Sequence, residues 1–194
     1  MLPNASITPM LRGFTPVAAL VAVLFVSGCS EPQSSVEYDE STTVLAIGDS
    51  IMVAASGNLT DLVDGIVIDA EVGRPFGDGI AALERQLSQG APPDILVVAL
   101  GTNAGTSTGQ VDELMELTHG IDEVIFVNVR VPRDWESTTN SVLADAAGRY
   151  DNVRIVDWYG ASNNSDHLFR SDGYHPNATG SELWTNLIVI EIKR

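Results

Sequence analysis

Cysteine is almost missing from this chain. Among 194 residues there is one, Cys29, so no intramolecular disulfide can form. Basic residues are scarce too, with 10 Lys and Arg against 26 Asp and Glu and a formal net charge of −16. Such a surface repels phosphates, which argues against nucleic acid as a partner and suits a solvated extracellular surface. Acidity alone identifies no substrate. There are three histidines, no pair of them at helical spacing, so no metal site is expected and no cofactor is called for. No apolar run reaches the roughly 20 residues that a membrane-spanning helix needs.

What is present begins with a leader. Residues 1–28 hold a single charged residue, Arg12, then the apolar run "FTPVAALVAVLFV" and the small residues of "SGCS". A basic residue, a short apolar core and small residues before a cleavage point make a secretory signal. The segment "VSGC", Val26 to Cys29, resembles the lipobox of bacterial lipoproteins, in which the Cys becomes the lipidated N-terminus. That resemblance implies an extracytoplasmic lipoprotein, anchored at Cys29 to a membrane of a bacterial cell envelope. An uncleaved N-terminal anchor, or a plain signal with an incidental Cys, are the competing readings. Residues 29–41 are polar and rich in Ser and Glu, and read as a flexible tether.

Residues 42–194 read as one domain, large enough for a substantial core in a chain that is 44% hydrophobic. Five apolar, β-rich runs follow one another: "TTVLAIG" (42–48), "GIVIDAE" (65–71), "DILVVAL" (94–100), "EVIFVNV" (123–129) and "NVRIVDW" (152–158). Several are continuous rather than alternating, the mark of strands buried on both faces. Helical spacing appears between them, after Ser50 and over 79–89, 110–120 and 138–150, and again over 178–192. Alternating strands and helices predict a parallel sheet covered by helices on both faces. In such sheets ligands sit beyond the carboxyl ends of the strands, so the segments following each strand are where chemistry is expected.

Those segments are polar or glycine-rich: Gly48-Asp49-Ser50, then "VGRPFGDG", "GTNAG", "RVPRDW", and a last loop ending in "SDGYHPN". Ser50, between strand and helix, reads either as a helix cap or as an exposed nucleophile beside helix N-terminal amides. It is not the Gly-x-Ser-x-Gly elbow of the α/β-hydrolases, since Met52 stands where the second Gly would be. A serine nucleophile needs a base. His119 reads as a helix C-terminal residue, and His167 as a loop residue. His175 differs, because Asp172 precedes it by three residues on a glycine-containing turn, a spacing that lets a carboxylate orient the imidazole. Asn103 offers a side-chain amide and Gly73 a backbone N–H to a developing oxyanion. Arg74, Arg130 and Arg133 fall in these loops as well. They would either neutralise an anionic glycan or pair with the many acids. Trp135 and Trp158 would either stack on sugars or pack internally.

Taken in order, Gly48-Asp49-Ser50, Gly73, Gly101-x-Asn103 and Asp172-x-x-His175 resemble the Ser, Gly, Asn and His blocks of the SGNH (GDSL-type) hydrolases, over essentially all of residues 42–194. The resemblance implies a flavodoxin-like three-layer α/β/α sandwich on a five-stranded parallel sheet. It also implies Ser50 as nucleophile, His175 as base and acid, Asp172 as its orienter, and an oxyanion hole of the Ser50 and Gly73 N–H groups with the Asn103 amide. Where many family esterases have Gly-x-Asn-Asp, Ala104 follows Asn103 here. With "VGRPF" and "VRVPRDWESTTN", this looks more like the SGNH domains attached to membrane acyltransferases that O-acetylate peptidoglycan and other surface polysaccharides. The expectation is therefore a lipid-anchored, monomeric serine esterase that removes small O-acyl groups, acetyl above all, from a small molecule or an envelope glycan. The alternatives are an O-acetyltransferase served by a separate membrane acyl-donor protein, and a non-catalytic glycan-binding lipoprotein.

Overall fold

The computed structural model describes residues 1, 38–39 and 41–194. The leader, Cys29 and most of the tether lie outside the described residues. The domain opens with β1 (Val44–Gly48), α1 (Ser50–Leu62), β2 (Val67–Ala70) and α2 (Phe76–Leu87). It continues through β3 (Ile95–Ala99), α3 (Thr108–Leu117), β4 (Glu123–Val127), α4 (Glu136–Arg149) and β5 (Val153–Val156). A short α5 (Trp158–Ser162), a 3-10 turn at Asp166–Leu168 and α6 (Ala178–Ile192) complete it. The five strands pair parallel in the order β2-β1-β3-β4-β5, the flavodoxin-like order.

Period-two alternation along each strand sorts the core into two layers. Val44 and Ala46 of β1, Ile95 and Val97 of β3, and Ile125 and Val127 of β4 pack under α1 and α6, against Met52, Leu59, Trp184 and Ile188. Their neighbours Leu45, Ile47, Leu96, Val98, Val124 and Phe126 face α2, α3 and α4, against Phe76, Leu83, Leu114 and Leu143. Strands β1 and β3 are buried at every position, which is why their sequences lack polar residues. The edge strand β2 departs from that pattern, with Val67 exposed and its other residues half-buried.

Several element boundaries differ from the sequence expectation. The last strand was expected to reach residue 158 but stops at Val156, because the Asp157 side chain accepts from the Gly160 N–H and starts α5 at Trp158. Helix α2 begins at Phe76 rather than residue 79, directly after Pro75, whose fixed φ suits a helix start. Helix α3 begins earlier as well, at a capping box between Ser107 and Gln110, and ends at Leu117, leaving His119 exposed in the following turn.

Strand order reverses between β1 and β3, so the crevice at their carboxyl ends is the topological switch point. The Asp49 N–H bonds to the Ala99 carbonyl at 3.2 Å and extends that pairing one residue beyond β1. Ser50 thus sits at the mouth of the crevice.

Candidate active site

The serine is held there by its neighbour. Asp49 is fully buried and caps α1, its Oδ1 accepting from the Ile51 N–H at 3.0 Å. Burial raises its pKa above the ordinary carboxylate range, opposed by the hydrogen bonds it accepts from Ile51 and Thr102 and by the charge of His175. Because Asp49 does the capping, the Ser50 hydroxyl is left free for another partner. The Ser50 N–H, in the first turn of α1, has no hydrogen-bond partner among the described residues.

That partner comes from the far end of the chain. Ser50 Oγ lies 2.9 Å from His175 Nε2, and His175 Nδ1 lies 3.0 Å from Asp172 Oδ2. The other carboxylate oxygen of Asp172 accepts the backbone N–H groups of Tyr174 at 3.1 Å and His175 at 3.0 Å. These bonds fold the turn over its own carboxylate. The His175 N–H is the foremost reason that the Asp172 pKa lies below its ordinary value, with the Tyr174 N–H and the imidazole adding to it. Gly173 takes φ +80° inside the turn, a conformation that L side chains rarely adopt.

The turn is clamped onto α6. The Arg170 N–H bonds to the His175 carbonyl at 2.8 Å, and the Asn177 N–H to the Leu168 carbonyl at 2.9 Å. Asn177 caps α6 by accepting from the Gly180 N–H and donates Nδ2 to the His167 carbonyl at 2.7 Å. His167 is exposed, and it contributes its backbone rather than its ring. Gly180 lies so close to this segment that a Cβ there would stand 2.1 Å from the Leu168 carbonyl oxygen. Gly180→Ala is expected to lose about 2–3 kcal/mol in a urea melt, by overpacking against backbone, and to lower turnover by displacing His175. A wild-type midpoint would refute the clamp.

Asn103, in the loop after β3, points Nδ2 toward Asp49 Oδ2 and the Arg74 carbonyl, each at 3.4 Å. Gly73 is exposed after β2, and its N–H has no partner among the described residues. The sequence offers Asp49-Ser50 as a helix start, and the structure assigns the cap to Asp49.

The arginines divide. Arg74 is buried, its Nη2 2.6 Å from Asp69 Oδ1 and its Nη1 bonded to the carbonyls of Asp69 at 2.6 Å and Gly48 at 3.2 Å. It is a structural ion pair and not a substrate contact. Arg130 is half-buried, 3.6 Å from Glu136, and lies against the rings of Tyr159 and Phe169. Arg133 is exposed, over the Tyr174 ring. Trp158 is only 2% exposed and packs edge-on against Phe169, which excludes it from sugar stacking. Trp135 is half-buried beside the loop after β3, where a Cβ added at Gly105 would stand 3.0 Å from the Trp135 Cβ.

Proteins with related sequences include acetyltransferases. Over 157 residues the chain is 36% identical to O-acetyltransferase OatA of Staphylococcus aureus, covering 80% of this chain and 26% of that protein. Over 147 residues it is 33% identical to peptidoglycan O-acetyltransferase OatA of Listeria monocytogenes, covering 76% and 23%. The chain thus spans about a quarter of the length of these relatives. Among solved structures, the C-terminal catalytic domain of Streptococcus pneumoniae OatA superposes with a TM-score of 0.67 at 18% identity, over 77% of this chain and 90% of that one. A GDSL-like lipase from Bacteroides thetaiotaomicron gives 0.63 at 18%, over 78% and 88%. No family model matches the sequence. With the Ser, Gly, Asn and His blocks at one sheet end, the chain has the SGNH (GDSL-type) α/β fold and is similar in sequence to O-acetyltransferases over about four-fifths of its own length.

Proposed function

We propose that residues 42–194 transfer O-acetyl groups onto a hydroxyl of an envelope glycan, through an acyl-enzyme on Ser50. The observation that carries this reading is the hydrogen-bonded series Ser50–His175–Asp172 at the open switch point, with contacts of 2.9 and 3.0 Å. In the first half-reaction Ser50 Oγ attacks the acetyl carbonyl carbon while its proton passes to His175 Nε2. The oxyanion is met by the N–H groups of Ser50 and Gly73 and the Asn103 amide, aided by the α1 N-terminus. The tetrahedral intermediate collapses, and His175 returns the proton to the departing alcohol oxygen. In the second half-reaction the acceptor hydroxyl attacks the acetyl carbonyl, gives its proton to His175, and Ser50 leaves reprotonated. Asp172 fixes the imidazole tautomer and offsets its positive charge throughout.

The choice of a sugar over water as acceptor rests on the sequence relatives, which are named acetyltransferases. An esterase differs only in that water releases the acetyl group, and it is the second reading because the solved neighbours include a GDSL-like lipase. A lipid on Cys29 would hold the domain at the envelope surface, and the tether would let it reach the glycan. Supplying an aryl acetate with and without chitooligosaccharide or peptidoglycan fragments, and weighing the products, distinguishes the two readings. Acetylated glycan supports transfer, whereas acetate alone, at a rate that glycan does not change, refutes it.

A further inference from the structure

Arg133 differs from Arg74 and Arg130, the arginines of the loops after β2 and β4. Arg74 and Arg130 are paired with carboxylates, whereas Arg133, the residue after Pro132 in the loop leading to α4, pairs with none among the described residues, its neighbour Asp134 included. Its guanidinium carbon lies 6.0 Å from the Tyr174 ring centroid. That ring in turn lies 4.2 Å from the His175 imidazole, tilted by 38°. Of its polar edge, Nη1 bonds to the Pro132 carbonyl at 3.1 Å. The guanidinium therefore rests over an aromatic face, which restrains it without consuming its remaining N–H donors.

On a chain with a formal charge of −16, an anionic substrate approaches against the field. A local cation at the reaction centre is what such a substrate requires. We propose that Arg133, held over Tyr174, is a specificity-determining residue that receives a carboxylate borne by the glycan substrate close to the acetylated or acetylatable hydroxyl. The planar fork of an arginine accepts a carboxylate in two parallel hydrogen bonds, and the contact would seat the sugar beside His175. The inference rests on the acyl-transfer reading for its meaning but not for its test.

Binding is measured by NMR titration of Ser50→Ala protein, which cannot turn over, with N-acetylmuramic acid, which carries a carboxylate, and N-acetylglucosamine, which does not. The expected result is about tenfold tighter binding of the acid, the factor that one charge-assisted contact supplies, with shifts at Tyr174. Arg133→Gln should erase the preference and leave N-acetylglucosamine binding unchanged, while Arg133→Lys should retain part of it. The same preference in Arg133→Gln, or no preference in the parent, overturns the proposal. In the Ser50 background, Arg133→Gln should also cleave a neutral aryl acetate within about twofold of the parent, since the residue touches no reacting atom in that reaction. Loss of turnover on that neutral ester would assign Arg133 to the fold of the turn and overturn its role in specificity. Failure of the parent itself to cleave the ester would count against acyl transfer, separately from the carboxylate site.

Discussion

Replacing Ser50 or His175 with alanine is expected to lower kcat on an aryl acetate at least about a thousandfold, as removal of triad members does in serine proteases. Ser50 Oγ and His175 Nε2 are 2.9 Å apart, so each is useless to the reaction without the other. The double variant should therefore be no slower than the worse single one, since the pair acts as a unit. The test is clean because Asp49, and not Ser50, caps α1. Ser50→Ala should leave the urea midpoint within about 0.5 kcal/mol of wild type, so that lost turnover cannot be blamed on lost structure. Undiminished rates in either single variant would sink the assignment.

The second large effect concerns stability. Arg74→Met is expected to cost about 3 kcal/mol or more, because it leaves Asp69 and two backbone carbonyls around an empty cationic position. The Arg74 side chain is 4% exposed and that of Asp69 18%, so water can only partly replace what is lost. Burial works against ionisation of Asp69, yet Gln86 and Arg74 together hold its pKa below the ordinary value. A carboxylate depressed in this way contributes stability that is complete above its unfolded pKa, near about 3.9, and is lost as pH falls through the folded value. Wild type should thus weaken in acid below about pH 4, and Arg74→Met should show a flatter acid limb. Adding Asp69→Asn to Arg74→Met should cost less than the two single losses summed. An unchanged midpoint for Arg74→Met would show the pair to be idle.

These two predictions differ in how far the sequence announced them. The strands were legible because burial on both faces leaves nothing but apolar residues at positions 44–47 and 95–99, a signal that composition alone transmits. The Asp172–His175 contact was legible because the two form a local turn, and a three-residue spacing constrains their geometry wherever the turn is placed. Arginine roles were not legible. Arg74, Arg130 and Arg133 occupy equivalent loops, and only the fold decides which finds a carboxylate within reach. The end of β5 was hidden for a related reason: Asp157 lies inside an otherwise strand-like run, and its capping bond to Gly160 becomes visible only with coordinates. Hydrophobic patterning reports burial, while polar pairing depends on distances that sequence does not contain.

The clamp that joins the His175 turn to α6 has a temporal meaning. Ser50 is positioned by contacts among β1, α1 and β3, early in the chain, whereas His175 is 125 residues further on. The His175 turn is held between the 3-10 turn at Asp166–Leu168 and the cap of the last helix. The Ser50–His175 contact therefore depends on the docking of the final helix. In the proposed reaction, loosening of α6 should silence Ser50 before the sheet itself comes apart.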